Sequence, residues 1–546
     1  MTGRKGIGNT MTVVIIVAVV MLNILAYTVT NAFSLYLYSP VVDDFSISGS
    51  TDELFAEAID AGRKVTITFC YTEDKLETHD TGSYVLRTAR EFEANYPDFI
   101  ELRFINLLTK MDENGKIVTL DEYSDVVCKN VIGKDDKGND IVCNKSMRYV
   151  DVDAEKPKCT TCGGTLDLDK DVVRNFSQNS VIFSTGTVED RNLNYRVLTD
   201  KRSSAGFVDF YTLDSSNNVV AYNGEEVMAA MISWVLHREH PIAYFTQNHG
   251  ETAEIALTNL LTCAGYYVEV INLRKMEIPD DAGMLIISNP TSDFDMSDPT
   301  GESRGEINKL EEYLKGGGKL YVALDPYVKE LPNLEAMLSK WGIKMPATEN
   351  DAGVSVKNII KENSDAITPD GFTFVASYAD NDVASAILDK VDNYGTDSVL
   401  VSQVASLELD SALGAKPLLV SSSTSSVHAG GELINSNGEY AVAAYSVKAE
   451  ENGKESTVVV IPTAYITSTD AFLSKNYSNK DFLYATFEEL FDAHKSPRGC
   501  NQIIYKTQIL ENLTMRTAKI YTALILTVPA ALTVVGIVTI TRRKNR

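Results

Sequence analysis

Apolar residues along this chain follow three patterns. The first is long and unbroken. From Met11 the chain reads "MTVVIIVAVVMLNILAYTVTNAF", and from Ile520 "IYTALILTVPAALTVVGIVTI", with no charge in either run. About 20 such residues, roughly 30 Å as a helix, are enough to cross a bilayer core. The runs predict an N-terminal transmembrane anchor within 1–38 and a C-terminal transmembrane helix at 519–541, with Pro529 tolerated inside the second. A cleaved signal peptide is the rival reading of the first run. That run is long for such a segment and no small-x-small site follows it.

The second pattern is alternation at period two and the third is helical spacing, and these two take turns. "KVTITFCY" and "FIELRFIN" read as strands. Between them Val85, Leu86, Ala89 and Phe92 lie at helical spacing, stopped before Pro97, so 64–105 predicts a βαβ unit. A polar stretch follows, with a hairpin expected to turn near 144–146 and lower-complexity sequence to about Asp214. "NGEEVMAAMISWVLHRE" predicts a connecting helix within 221–240, with Val227, Met231, Trp234 and Val235 as one apolar stripe. From Pro241 strands and helices alternate through "IAYFT", "ETAEIALTNLLTCAG", "YYVEVINL", "AGMLIISNP", "GEINKLEEYLKGGG" and "KLYVALDP". That order predicts a parallel, doubly wound sheet over 241–495. Residues 351–410 read as an insertion, and 496–518 as a stalk.

Charge sharpens the picture of the ends. The formal net charge is −25. The tails are basic: Arg4 and Lys5 at one end, Lys519, Arg542, Arg543, Lys544 and Arg546 at the other. Without these seven, residues 41–518 stand near −32. Such a surface repels phosphates, so nucleic acid is not an expected partner. The basic flanks, including the tail 542–546, predict both termini in the cytoplasm and a two-pass protein of the cell membrane with its body outside.

Two places could carry chemistry. Gln247, Asn248, His249, Gly250 and Glu251 follow a strand and precede a helix, where ligands of doubly wound folds sit. Asn248 suits an N-cap, and Glu251 in a first helical turn gains from the dipole. A cap, a ligand or partner contact, and catalysis all remain open. No nucleophile elbow is present, and "LKGGGKLYVA" lacks the phosphate-loop spacing, so ATP hydrolysis is not indicated. The second place is cysteine-rich. "KPKCTTCGGTLD" puts Cys159 and Cys162 in the usual zinc-knuckle spacing, and Cys128 and Cys143 upstream could complete four ligands for a structural zinc. A local disulfide and free thiols are the alternatives. Cys70 has no neighbouring cysteine, which argues against thioredoxin-type redox chemistry. Cys263 and Cys500 read as bystanders, and His79, His237, His240, His428 and His494 do not cluster along the chain.

The order of "AYFTQNHGE", "GYYVEVINL", "IPDDAGMLIISNP", "YLKGGGKLYVALDP" and "VVVIPTAYITSTDAFL…NKDFLYATFEELF" resembles the auxiliary, substrate-binding proteins of gliding-motility-type ABC transporters (GldG-like). In that family the first motif usually has Gly-His-Gly-Glu; here Asn248 stands in place of the first glycine. The resemblance implies a thioredoxin-like domain over 50–220, including "YNGE" near Tyr222–Glu225, ahead of a flavodoxin- or amidotransferase-like doubly wound domain. The cysteine insertion, 125–165, lies outside the family pattern. The resemblance further implies a non-catalytic component that works with a separate ABC ATPase and a multi-span permease. A degenerate amidotransferase-like hydrolase and a surface adhesion or scaffolding module are the alternatives.

Overall fold

The computed structural model describes residues 45–505 except 113–122, 148–157, 168–171, 174–176, 188–191, 199–206, 215–217, 297–303, 393–396 and scattered shorter gaps; beyond 505 only Lys544 is described. The chain divides into two compact units, Met1–Ser46 and Ile47–Arg546. The first is described only at Phe45 and Ser46. The second is a single compact unit, built from two α/β lobes.

The first lobe begins with α1 (Gly49–Asp60), β1 (Val65–Phe69), α2 (Gly82–Asn95) and β2 (Ile100–Asn106). β1 and β2 pair in parallel, with Val65 opposite Ile100, as the βαβ reading requires. The insertion holds a short hairpin, β3 (Val131–Lys134) and β4 (Asp140–Val142). It turns between those strands; residues 144–145 of the turn expected near 144–146 lie outside the described residues. Residues expected to be of low complexity contain β5 (Val181–Thr185) and β6 (Asn194–Leu198), each antiparallel to its neighbour. The sheet order is β6-β5-β1-β2, closed at the edge by Met111–Asp112.

α3 (Gly224–Leu236) joins the lobes. It is buried on every side from Gly224 to Val235, so the expected single stripe is too narrow. Burying a large apolar side chain contributes about 1.5–3 kcal/mol, which makes this helix the structural axle of the body. Its first turn binds residues near both ends of the described chain. The Glu225 carboxylate accepts from Ser48 N at 2.5 Å on one oxygen and from Asn501 N at 2.6 Å on the other. Glu226 binds Lys480 Nζ and Tyr484 OH, both at 2.7 Å.

The second lobe contains β7 (Ile242–Thr246), α4 (Ile255–Cys263), β8 (Tyr267–Ile271), β9 (Ala282–Ser288), α5 (Glu306–Lys315), β10 (Lys319–Ala323) and α6 (Pro332–Lys340). After these come β11 (Thr373–Tyr378), α7 (Asp382–Asp392), β12 (Val399–Ser402), β13 (Ala415–Val420), β14 (Ala441–Ala449), β15 (Glu455–Ile461) and α8 (Asn479–Leu490). They build one nine-stranded sheet, β8-β7-β9-β10-β15-β14-β13-β11-β12. The first five strands are parallel and the rest antiparallel, so the sheet is mixed where a parallel one was expected. Residues 351–410 supply β11 and β12 to it. Alternation splits β7 between two cores: Ala243 and Phe245 pack beneath α4 and α8, while Ile242 and Tyr244 pack beneath α5 and α6. Strands covered on both faces read as near-continuous apolar runs, which is why they were visible in the sequence.

The expected stalk starts as part of the body. Ile503–Ile504 pairs with Val219–Tyr222, and Ser496 and Arg498 are buried. No helix among the described residues is long and apolar enough to cross a membrane. On that finding the transmembrane assignment and the two-pass cell-membrane location are corrected. The runs in 1–38 and 519–541 and the tail 542–546 lie outside the described residues, Lys544 excepted.

Candidate functional site

β7 delivers the chain into a tight turn. Asn248 and Gly250 take φ of 85° and 75°, the left-handed region that favours glycine. A Cβ on Gly250 would stand 2.0 Å from Thr291 Oγ1. This backbone carries His249 inward until its side chain is wholly buried. The ring stacks on Phe294 at 3.8 Å. Nδ1 lies 2.9 Å from Glu251 Oε1, and Nε2 lies 2.9 Å from Glu306 Oε2. His249 N donates to Glu251 Oε2 at 2.6 Å, and His249 O accepts from Thr291 N at 2.7 Å and Ser292 N at 2.9 Å.

Carboxylates only accept, so both ring nitrogens must carry protons, and His249 is an imidazolium held between two anions. Burial pushes its pKa down, but the bonds to Glu251 and Glu306 outweigh burial and raise it to about 9. Burial pushes Glu251 and Glu306 upward, and His249 overcomes this and holds both below the usual carboxylate range. Glu306 also accepts from Asp295 N at 3.0 Å and opens α5, where the helix dipole favours an anion. With both ring nitrogens engaged, His249 offers neither a base nor a free proton. It is a lock between the β7 turn and the start of α5.

This arrangement changes the reading of the five residues. α4 starts at Ile255, so Glu251 precedes it, and Glu254 takes the N-cap position without a side-chain bond. Glu251 therefore turns back on His249 and does not support the helix. Gln247, Asn248 and Gly250 are exposed. Glu306 is 57 residues from His249 and was missed; its only sequence signal is an acid at a helix start, which is common.

The structure brings the four singled-out cysteines together. The sulfurs of Cys128, Cys143, Cys159 and Cys162 all lie within 4.8 Å of one another. Cys128–Cys162 are 3.6 Å apart and Cys143–Cys159 3.7 Å. Disulfide sulfurs stand about 2.05 Å apart, so these are four separate thiols. Thiolates about 2.3 Å from a tetrahedral ion would be about 3.8 Å from each other, which fits. Cys128 and Cys143 look distant in sequence, but the β3–β4 hairpin places Val131 opposite Val142 and returns the chain to its start. The second pair sits on a knuckle: Gly163 has φ of 68°, and Cys159 N donates to Gly164 O at 2.8 Å. An N–H bond from Gly164 lowers the Cys162 pKa to about 7. Asn130 Nδ2 lies 3.1 Å from Cys128 Sγ, a second-layer donor suited to a thiolate.

A third feature lies between the lobes. A cavity of about 530 Å³ is framed by β6, α3, α4 and α8, with Tyr195, Met231, Asn259, Lys480 and Gln502 among its walls. Its floor carries the Glu226–Lys480 pair at 2.7 Å. Cys263 and Cys70 are both held by burial as thiols, each pushed up to about 12.

No family model and no curated protein matches the chain. Among solved structures, the N-terminal domain of mmIFT52 is similar over 46% of this chain and 97% of that one, with 14% identity and a TM-score of 0.33. A ThuA-like protein from Bacteroides uniformis covers 46% of this chain and 91% of its own, with 11% identity and a TM-score of 0.27. PurLQS from Thermotoga maritima covers 46% and 99%, with 11% identity and a TM-score of 0.25. Scores this low carry neither fold nor function across.

Proposed function

We propose that this protein is a non-catalytic binding component of the GldG-like kind, acting beside an ABC ATPase and a permease. The observation that carries the non-catalytic part is the His249 lock. Where a doubly wound enzyme would hold its reactive groups, beyond the strand ends, this chain holds a buried histidine with both nitrogens spent. Two topologies support the family reading. The order β6-β5-β1-β2 with β1 parallel to β2 is that of a thioredoxin-like sheet, and β8-β7-β9-β10-β15 is the flavodoxin-like order. The mixed polar and apolar cavity between the lobes is the place for a ligand. Purification of the full chain in mild detergent from its native cells tests the reading. An ATPase or permease in the eluate is expected; repeated recovery of the chain alone counts against it.

We also propose that the four-cysteine site holds a structural zinc. Its donors are four cysteine sulfurs, two pairs of them 3.6 and 3.7 Å apart as a tetrahedral ion needs, and no described histidine or carboxylate completes a catalytic set. Metal analysis of the intact protein is expected to find zinc that is lost in Cys159→Ser.

A further inference from the structure

Three histidines that lie apart in sequence meet where the lobes join. His237 closes α3, His240 lies in the crossing that leads to β7, and His494 follows α8. The rings of His237 and His494 stack, with centroids 4.0 Å apart and planes 22° from parallel. His240 stacks on Trp234 at 3.8 Å and stands 5.9 Å from His494. His237 Nδ1 donates to Ser233 O at 2.9 Å, and His494 Nε2 donates to Glu239 O at 3.1 Å. Carbonyl oxygens only accept, so each of these two rings carries one proton and spends it on the backbone. His237 Nε2 and His494 Nδ1 are left as the nitrogens that take up a second.

His494 grips the crossing twice, through the ring of His237 and the carbonyl of Glu239. It also lies against the turn after α4, where a Cβ on Gly265 would stand 3.1 Å from His494 Cδ2. Tyr266 OH donates from the same turn to Phe491 O at 2.7 Å. The crossing, the α4–β8 turn and the segment after α8 therefore meet at one stack of rings. The surroundings oppose a second proton there. Arg63 Nη1 donates to Leu236 O at 2.7 Å, one residue before His237, which fixes a cation beside the pair. Burial pushes the His237 pKa down first; the bond to Ser233 O acts against it, His494 and Arg63 push it down further, and Glu57 opposes them. Arg238 and Glu239 in the crossing, and Asp492 and Lys495 beside His494, are exposed, so water screens them.

We infer that His237 and His494 form an acid-sensitive clasp, in which protonation of the stacked rings frees the inter-lobe crossing from the segment after α8. Neutral rings pack face to face, whereas protons on both set like charges 4.0 Å apart. The His237 pKa is lowered in the folded chain, so the contribution of the clasp is present above the usual 6.5 and is lost as pH falls through the lower folded value. This inference does not depend on the transport reading.

The test is amide hydrogen exchange on the full chain at about pH 7.5 and about pH 5.5, on either side of the ordinary histidine range, with intrinsic rates divided out. Protection over 236–241 and 264–267 is expected to fall about tenfold or more at the acid value, while that of β10 stays unchanged. A pH series should centre the step below 6.5. His494→Phe keeps a ring on His237, and His237→Asn keeps a donor for Ser233 O. Each removes one titrating ring, so each should show equal protection at the two pH values, with circular dichroism confirming the fold. No acid step in the parent chain, a step centred above 6.5, or a full-sized step in either variant overturns the inference.

Discussion

The β7 turn and the cysteine insertion face the same problem and solve it in opposite ways. Each must fix a bend of irregular chain. Around His249 there is a deep core, with Phe294, Leu310 and Leu324 fully or nearly fully buried nearby in the same lobe. There the chain affords a buried cation between two carboxylates, because packing and backbone bonds hold all three groups in place. Around the cysteines the described core is little more than Leu166 and the thiols themselves. With so little apolar area to bury, charge alone could not order that hairpin; in the proposed zinc reading, four thiolates on one ion replace the missing core. Where the core is thick a polar lock is tolerable, and where it is thin four cysteines are gathered within 4.8 Å of one another.

Removing the metal is the sharpest way to break this contrast. Structural zinc in small modules is worth about 10–16 kcal/mol of apparent binding energy. Chelation or Cys159→Ser should therefore abolish amide exchange protection over 131–142 while the nine-stranded sheet keeps its own. Unchanged protection in the hairpin would show that the thiols are not its support.

Breaking the lock comes next. His249→Ala leaves Glu251 buried without its cation and Glu306 with only Arg274, 3.6 Å away, a loss of about 3–5 kcal/mol of the kind seen when one partner of a buried pair is removed. Denaturant unfolding should register it as a lower midpoint of the whole body. A variant as stable as the parent would restore His249 as a candidate contact for ligand.

A milder probe is pH. The His249 pKa in the folded chain, about 9, exceeds its usual 6.5, so its contribution is complete below about 6.5 and is lost as pH rises through about 9. Glu251 and Glu306 are shifted the other way, so their contribution is present above their usual 4.5 and is lost as pH falls below it. Stability should form a plateau between these limits, and His249→Ala should flatten the alkaline slope when unfolding midpoints are measured across pH.

The smallest effect concerns Asn248. Left-handed backbone costs a non-glycine residue about 1–2 kcal/mol, with asparagine at the low end. Asn248→Gly should be neutral or slightly stabilising, and Asn248→Ala should lower the melting temperature measurably. A glycine at this place would then have a conformational reason and no chemical one.

Much of the scaffold was legible. β7, β9, β10 and β15 are apolar on both faces because both faces are covered, and α5 and α8 show their spacing plainly. The cysteine quartet was legible from one knuckle and two leftovers. What escaped depended on distance. Nothing near His249 in sequence announces Glu306, and nothing in 351–410 reveals that β11 and β12 complete a sheet begun at 242. The start of α4 was misplaced because Glu251 and Glu254 look alike as helix openers, and only the fold shows which of them turns inward. The long terminal runs have the composition of spans and lie outside the described residues, none of whose helices is long and apolar enough to cross a membrane.

Glu225 joins Ser48 and Asn501 on a single carboxylate. Two residues 453 apart in sequence, near the two ends of the described chain, thus meet at one spot on the first turn of the axle helix. Tension applied between Ser48 and Asn501 would load that spot and pass along α3, instead of peeling strands from a sheet edge. The same closeness means that a short tether between residues 48 and 501 would close the intervening body into a loop with little distortion.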